Sequence, residues 1–308
     1  MFSPQSFVSE AVQKIKKEVK GRSIIAVSGG IDSTVAAKIV SDALGSDVLA
    51  IYVDTGLMRT GEEKDVQNTL TGLAVNHKIV REESLFFERL KGITDPESKR
   101  KIIGKTFIDV FEREATAFGA EYLVQGTIAP DWIESGGGLR DTIKSHHNVG
   151  GLPEKVNLKI IEPLRDLYKD EVRKIAEFYQ IPHMRQPFPG PGLAVRIIGE
   201  VTKDKVELLK KATSILEANV SAMEEVPWQY FVVLLADRTT GVHGDRRVYG
   251  FTVAIRCVGS LDGMTANFSF IPLDLLAKIS REITNGIPEI SRVVYDITDK
   301  PPATIEWE

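Results

Sequence analysis

The stretch "IIAVSGGIDST", residues 24–34, decides the fold. Ile24 to Val27 is an apolar run suited to a short buried strand, and Ser28, Gly29 and Gly30 turn the chain. From Ser33 onward, Val35, Ala36, Ile39, Val40 and Leu44 recur at helical spacing. The following run, "DVLAIYVDTG", reads as a second strand ending at Asp54. The result is a βαβ unit with its glycine loop at the carboxyl end of the first strand, where open parallel sheets place their ligands.

The same alternation continues on both sides of this unit. Phe7, Val8, Ala11, Val12, Ile15 and Val19 mark a preceding helix packed by one face. Downstream, a helix is expected from Glu62 to Gly72, a strand near Lys78 to Val80 and a helix in "SLFFERLKG". The basic, glycine-punctuated "ITDPESKRKIIGKTF" leads to a helix from Ile108 to Phe118 and a strand ending at Gly126. Strands at helix-sized intervals predict a doubly wound, mostly parallel α/β sheet. Residues 128–156 are polar and glycine-rich, and a loop of that length in a compact domain is more often functional than idle. "EPLRDLYKDEVRKIAEFYQI" then returns to helix.

"PFPGPG", residues 187–192, interrupts every regular pattern and marks a domain boundary. It divides the chain into a first domain, residues 1–190, and a smaller α+β domain, residues 191–308. In the second, "LAVRIIGEV", "WQYFVVLLAD" and "SRVVYDITD" read as strands of an antiparallel sheet, with helices at Lys203 to Val220 and Ile271 to Asn285. Val253, Ile255 and Cys257 alternate in a further strand, a pattern that serves a subunit interface or an internal core equally.

Composition narrows the functional classes. The chain has 308 residues, 43% of them apolar, and a formal net charge of -4, so a nucleic-acid or membrane role would need a local patch. No segment approaches the roughly 18 apolar residues of a membrane span, and the start lacks a signal-peptide pattern, so a cytoplasmic location is expected. A single cysteine, Cys257, rules out an internal disulfide, and the five histidines form no spaced metal-ligand set.

Three generic readings of the glycine loop fail on particular residues. A dinucleotide fingerprint needs GxGxxG, but Gly29 and Gly30 are adjacent. A nucleophile elbow needs GxSxG, and Ala26 stands at its first glycine. An NTPase loop needs a lysine after the glycines, and none follows. What survives is an anion cradle of open backbone N–H groups, the hydroxyls of Ser28, Ser33 and Thr34, and a helix N-terminus. A carboxylate beside phosphates costs Coulomb energy unless a cation intervenes, so Asp32 implies Mg²⁺. The residues alone leave open a plain turn with Asp32 as helix cap.

"SGGIDS", residues 28–33, resembles the PP-loop of the ATP pyrophosphatases. Six further stretches resemble GMP synthases: "KIIGKTF" at 101–107, "GTIAPDWIES" at 126–135, "KSHHNVGGLP" at 144–153, "EPLRDLYKDEVRKIA" at 162–176, "PFPGPGLAVRIIGE" at 187–200 and "SRVVYDITDKPPATIEWE" at 291–308. The first domain is thereby identified with the adenine nucleotide alpha hydrolase-like fold, and the second with the family's dimerisation domain.

That resemblance implies a ligase reaction. XMP attacks the α-phosphorus of ATP, adenyl-XMP forms and pyrophosphate leaves; ammonia then displaces AMP to give GMP. It implies that Ser28, Gly29, Gly30, Asp32, Ser33 and Thr34 hold pyrophosphate and that Asp54, Gly56 and Gly126 lie near the rest of ATP. Asp54 serves equally as a turn cap. Asp32, Lys144, His146 and His147 are the implied catalytic set, Asp32 and Asp131 the implied Mg²⁺ ligands, and Lys101, Gly104 and Lys105 part of a mobile lid. Pro189, Gly190, Arg292, Lys300, Ile305 and Glu306 are the implied XMP contacts.

The chain opens almost directly on the synthetase. The resemblance therefore implies a homodimer served by a separate glutamine amidotransferase subunit, with no nucleic-acid or membrane partner. Two rivals are another PP-loop ligase and an ATP-sensing protein without turnover.

Overall fold

A computed structural model describes residues 2–129, 158–182, 186–260 and 263–308. The chain divides into two compact units, Met1–Glu83 with Ile103–Arg185, and Ser84–Ile102 with Gln186–Glu308. Residues 84–102, expected from the sequence within the first 190, pack with the second unit. Buried Lys99 accounts for this, because its hydrogen bonds run to Ile197 and Glu308.

The first unit opens with α1 (Pro4–Glu18), started by Ser3, whose hydroxyl accepts from the Ser6 N–H, and by a proline in the first turn. Then come β1 (Ser23–Ala26), α2 (Ile31–Leu44), β2 (Val48–Asp54), α3 (Glu62–Gly72) and β3 (His77–Arg81). After α4 (Glu83–Leu90) and α5 (Pro96–Phe118), this unit continues with β4 (Tyr122–Val124), β5 (Lys159–Ile161) and α6 (Lys169–Phe178). All five strands are parallel, in the order β3-β2-β1-β4-β5. β1 is central, paired with β2 on one side and β4 on the other, so its carboxyl end lies at the switch point of the sheet. Ile25, Val35, Ala36, Ile39, Val40, Ala50 and Tyr52 are among the residues that form the core.

Helix α5 starts well before the expected Ile108. Asp95 Oδ2 accepts from the Ser98 N–H at 2.7 Å, and Pro96 follows it. These starting signals outweigh the cost of about 1 kcal/mol that a mid-helix glycine carries, so Gly104 sits buried inside a continuous helix.

The second unit contains α7 (Lys203–Val220), β6 (Gln229–His243), β7 (Arg246–Gly259), β8 (Asn267–Phe268), α8 (Leu273–Gly286) and β9 (Ile290–Asp296). β6 and β8 pair antiparallel with β7, whereas β9 runs parallel to it, so the sheet is mixed. The α8 crossover permits this, because a helix returns the chain to the same end of the sheet. "LAVRIIGEV" is not a strand: Gly192–Arg196 is a buried 3-10 turn, and Ile197 makes one isolated bridge to Leu234. Gly192, at φ +66°, turns back so that its N–H donates to Pro189 O at 2.9 Å, which takes the segment out of extended geometry.

In β7, Val253, Ile255 and Cys257 are buried within the unit, as are their neighbours on the opposite face, so the alternation belongs to an internal core. Burial pushes the Cys257 thiol up to about 12, which leaves it protonated and unsuited to nucleophilic attack. No helix among the described residues is long and apolar enough to cross a membrane.

Candidate active site

The loop after β1 is organised by its own hydroxyls. Ser33 Oγ donates to Gly30 O at 3.1 Å and accepts from the Ser28 N–H at 3.3 Å, closing the turn. The Gly30 N–H donates to Ser28 Oγ at 3.3 Å, and Thr34 Oγ1 donates to Gly30 O at 2.8 Å. Gly29 has φ +80°, and a Cβ there would stand 2.9 Å from Val66 Cγ2 and 3.2 Å from Glu62 Oε1. Glycine is therefore required by both conformation and space. The N-cap of α2 is Gly30, with no side-chain capping bond, so the positive end of the helix is uncovered by any cap side chain.

Asp32 is not the cap. It lies in the first turn of α2, and its Oδ2 accepts from Lys169 Nζ at 2.5 Å. Lys169 is the first residue of α6, a helix end where the macrodipole disfavours a cation. The fold thus returns to the glycine loop the ammonium that its sequence lacks. Asp32 Oδ1 is buried without a hydrogen-bond partner among the described residues. A hard cation brought by a nucleotide would satisfy such an oxygen, so the loop fits Mg²⁺ at this carboxylate. Among the described residues, no cluster of three or more His, Cys, Asp or Glu forms a self-contained metal cage.

Gly126, after β4, packs directly on this loop. A Cβ at Gly126 would lie 3.1 Å from Asp32 C and 3.1 Å from Ser33 N, both backbone atoms. Asp54, at the end of β2, accepts from the Gly56 N–H through Oδ1 at 2.9 Å, and Gly56 has φ +77°. The structure thus gives Asp54 the turn-capping role. Lys101, Gly104 and Lys105 lie on α5 rather than in a loop, with Lys101 exposed and 3.9 Å from Glu97. Asp131, Lys144, His146 and His147 lie outside the described residues.

The other expected nucleotide contacts belong to the second unit, whose final residues are tied down rather than frayed. Arg196, 1% exposed, lies with its guanidinium 4.0 Å from the Phe231 ring centroid and holds both oxygens of Glu306, at 2.7 and 2.9 Å. Gln229 Nε2 donates to the same carboxylate at 3.0 Å. Arg256, fully buried, donates to Asp296 Oδ2 at 2.9 Å and to the carbonyls of Thr298, Thr304 and Ile305 at 2.7–3.0 Å. Ile305 packs against Phe231, Val233 and Ala254. Lys300 Nζ donates to Gly263 O at 2.7 Å, Arg292 Nε to Thr239 Oγ1 at 3.4 Å, and Pro189 and Gly190 lie in the turn before Gly192. Lys169, Arg196 and Arg256 are not legible as site residues in the sequence, because nothing local to them signals their distant partners.

Comparison with known proteins accounts for both units. Residues 4–87 match the family model for NAD synthase, and residues 216–307 match the model for the GMP synthase C terminal domain. The chain is 57% identical to the synthetase subunit of GMP synthase (glutamine-hydrolyzing) from Thermoplasma acidophilum, over 99% of its own length and 100% of that protein's. The chain belongs to the family of GMP synthase synthetase subunits. Family members of the same description from Thermoplasma volcanium and Methanocaldococcus jannaschii are 58% and 53% identical, over 98% and 100% of each chain. Within the family frame, the NAD synthase match spans the PP-loop and the C-terminal match spans β6–β9 and most of the anchored tail.

Proposed function

We infer that this chain catalyses the ATP-dependent amination of XMP to GMP, using ammonia supplied from outside. The observation that carries the reading is similarity to the synthetase subunit of GMP synthase along essentially the whole length of both chains. The anion cradle agrees with it, because the reaction's first leaving group is pyrophosphate.

In the proposed mechanism, Ser28, Ser33, Thr34 and the N-terminus of α2 hold the β- and γ-phosphates by hydrogen bonds. Lys169, released in part from Asp32, offsets the charge that accumulates as pyrophosphate departs. Mg²⁺ at Asp32 would supply further charge neutralisation there. The O2 atom of XMP bonds to the α-phosphorus while the bond to the pyrophosphate oxygen breaks. Ammonia nitrogen then bonds to C2, AMP leaves with the C2 oxygen, and loss of a proton gives the amine.

The tail residues Lys300, Ile305 and Glu306, with Arg292, Pro189 and Gly190, are proposed to receive XMP. Lys144, His146 and His147 are proposed to act in transfer, Asp131 to assist Mg²⁺, and Lys101, Gly104 and Lys105 to meet phosphate from α5. A homodimer through the second unit is proposed as well. Exposed Phe270, Leu273 and Ile297 in that unit support it, since monomers seldom leave large apolar groups to water together. A separate glutaminase subunit and a cytoplasmic setting complete the reading.

The test is incubation of the chain with ATP, Mg²⁺, XMP and a high concentration of ammonium. GMP, AMP and pyrophosphate are expected in equal amounts. Folded protein that makes no GMP, or that releases ADP, overturns the reading.

A further inference from the structure

Lys99 is the most deeply buried cation of the second unit outside the groups that hold the tail directly. Its side chain has no exposed surface, and that of its partner Glu308 is only 5% exposed. The ammonium donates to Ile197 O at 2.7 Å, to Ala194 O at 3.5 Å and to the Glu308 carboxylate. All three of its protons thus have acceptors. Two of those acceptors flank Arg196, the residue that holds Glu306; the third lies two positions beyond Glu306. Arg100 adds a bond from its guanidinium to Glu308 O, and the Gly199 N–H donates to Glu308 Oε1 at 3.4 Å.

The segment before Glu308 is fixed at its other end too. The Lys300 N–H donates to Ala266 O at 2.7 Å, and the Ala266 N–H donates to Lys300 O at 3.0 Å. Ile305 and Glu306 therefore lie between two anchors, and Lys99 joins the second anchor to the turn that carries Arg196. We propose that Lys99 is a positioning residue for XMP: it fixes the tail and the Arg196 turn in one register, so that the nucleotide meets Ile305 and Glu306 already in place. This rests on the reading that the tail receives XMP. Pre-ordering a binding segment improves affinity by removing the ordering cost from the binding step. Burial pushes the Lys99 amine down from its ordinary range and Glu308 opposes that, so removing either partner undoes the latch.

The test uses the full chain with Lys99→Met, and Glu308→Gln as the milder second variant. Three quantities are read: steady-state constants for XMP and ATP, XMP affinity by titration calorimetry, and amide exchange over residues 300–306. For Lys99→Met, the KM and Kd for XMP are expected to rise about tenfold while the KM for ATP stays within about twofold. Exchange at Ala303 to Glu306 is expected to accelerate while that of α2 is unchanged. Glu308→Gln is expected to move the same constants in the same direction by a smaller factor. Equal weakening toward XMP and ATP, or unchanged XMP affinity in a folded variant, overturns the proposal. So does faster exchange without any change in XMP affinity, which would make the latch purely structural. If Lys99→Met does not fold, Glu308→Gln decides by the same criteria. Failure of the unmodified chain to make GMP refutes the functional reading instead, a result separable from these.

Discussion

Lys169 Nζ lies 2.5 Å from Asp32 Oδ2, joining residues 137 positions apart. With the two side chains 42% and 29% exposed, the pair contributes little to stability, about 1 kcal/mol or less. Its expected effect is on chemistry. Lys169→Met is expected to slow pyrophosphate release about 10²–10³-fold while leaving the urea midpoint nearly unchanged. Asp32→Ala should likewise depress adenylation, and a coupled pyrophosphate assay reads both.

Gly126 tests whether the loop tolerates displacement. Gly126→Ala places a methyl group 3.1 Å from the backbone of Asp32 and Ser33, and backbone cannot swing away as a side chain does. Overpacking of this kind costs about 1–3 kcal/mol. The expected outcome is a raised KM for ATP with the XMP affinity of the second unit preserved, measured by equilibrium binding of each nucleotide separately.

The Arg196–Glu306 pair should behave in the opposite sense to the Asp32–Lys169 pair. Glu306→Gln leaves a guanidinium that is 1% exposed without its carboxylate, and removing one partner of a buried pair costs about 3–5 kcal/mol. A large drop in unfolding free energy is expected in urea titrations, accompanied by weakened XMP binding. A stability change as small as that expected for Lys169→Met would contradict this assignment.

Glu114 gives a pH prediction. Burial raises its carboxyl pKa, but Lys78 at 2.5 Å and Arg113 at 3.1 Å outweigh burial and hold it below the ordinary value of 4.5. A depressed carboxylate contributes stability that is fully present above the unfolded pKa and is lost as pH falls through the folded value. Wild-type stability is therefore expected to fall as pH drops below 4.5, more steeply than that of Glu114→Gln. Urea midpoints taken across the acid range check the sign.

The parts of the fold carried by local pattern are legible in the sequence. β1, the glycine turn and α2 follow from an apolar run, adjacent glycines and a helical stripe, and α3 occupies the expected Glu62–Gly72. The start of α5 is hidden because Gly104 and the lysines read as loop, while the capping Asp95 and Pro96 set the real boundary. The Gly192–Arg196 turn resembles a strand because buried apolar runs read alike whether extended or coiled. The direction of β9 is illegible, since a strand's composition carries no sign of which way it runs.

At the site, the hydroxyls and glycines announce a cradle, but Lys169 gives no sign because an exposed-looking "YKDE" is an ordinary helix start. Lys99, Arg196 and Arg256 are equally silent: sequence marks them as surface charges, and only the tertiary fold supplies the carboxylates and carbonyls that allow their burial.

The Lys99–Glu308 contact also sets an order of events during synthesis. The two residues are separated by 209 positions, so the lysine leaves the ribosome long before its carboxylate exists. At typical synthesis rates of about 5–20 residues per second, the delay is roughly 10–40 s. For that interval the ammonium must stay hydrated, and the segment carrying it must wait outside the interior it later enters. The second unit is thus assembled from both ends of a long wait, and chain ends clipped before Glu308 would present an unfilled cationic socket to the cell's quality control.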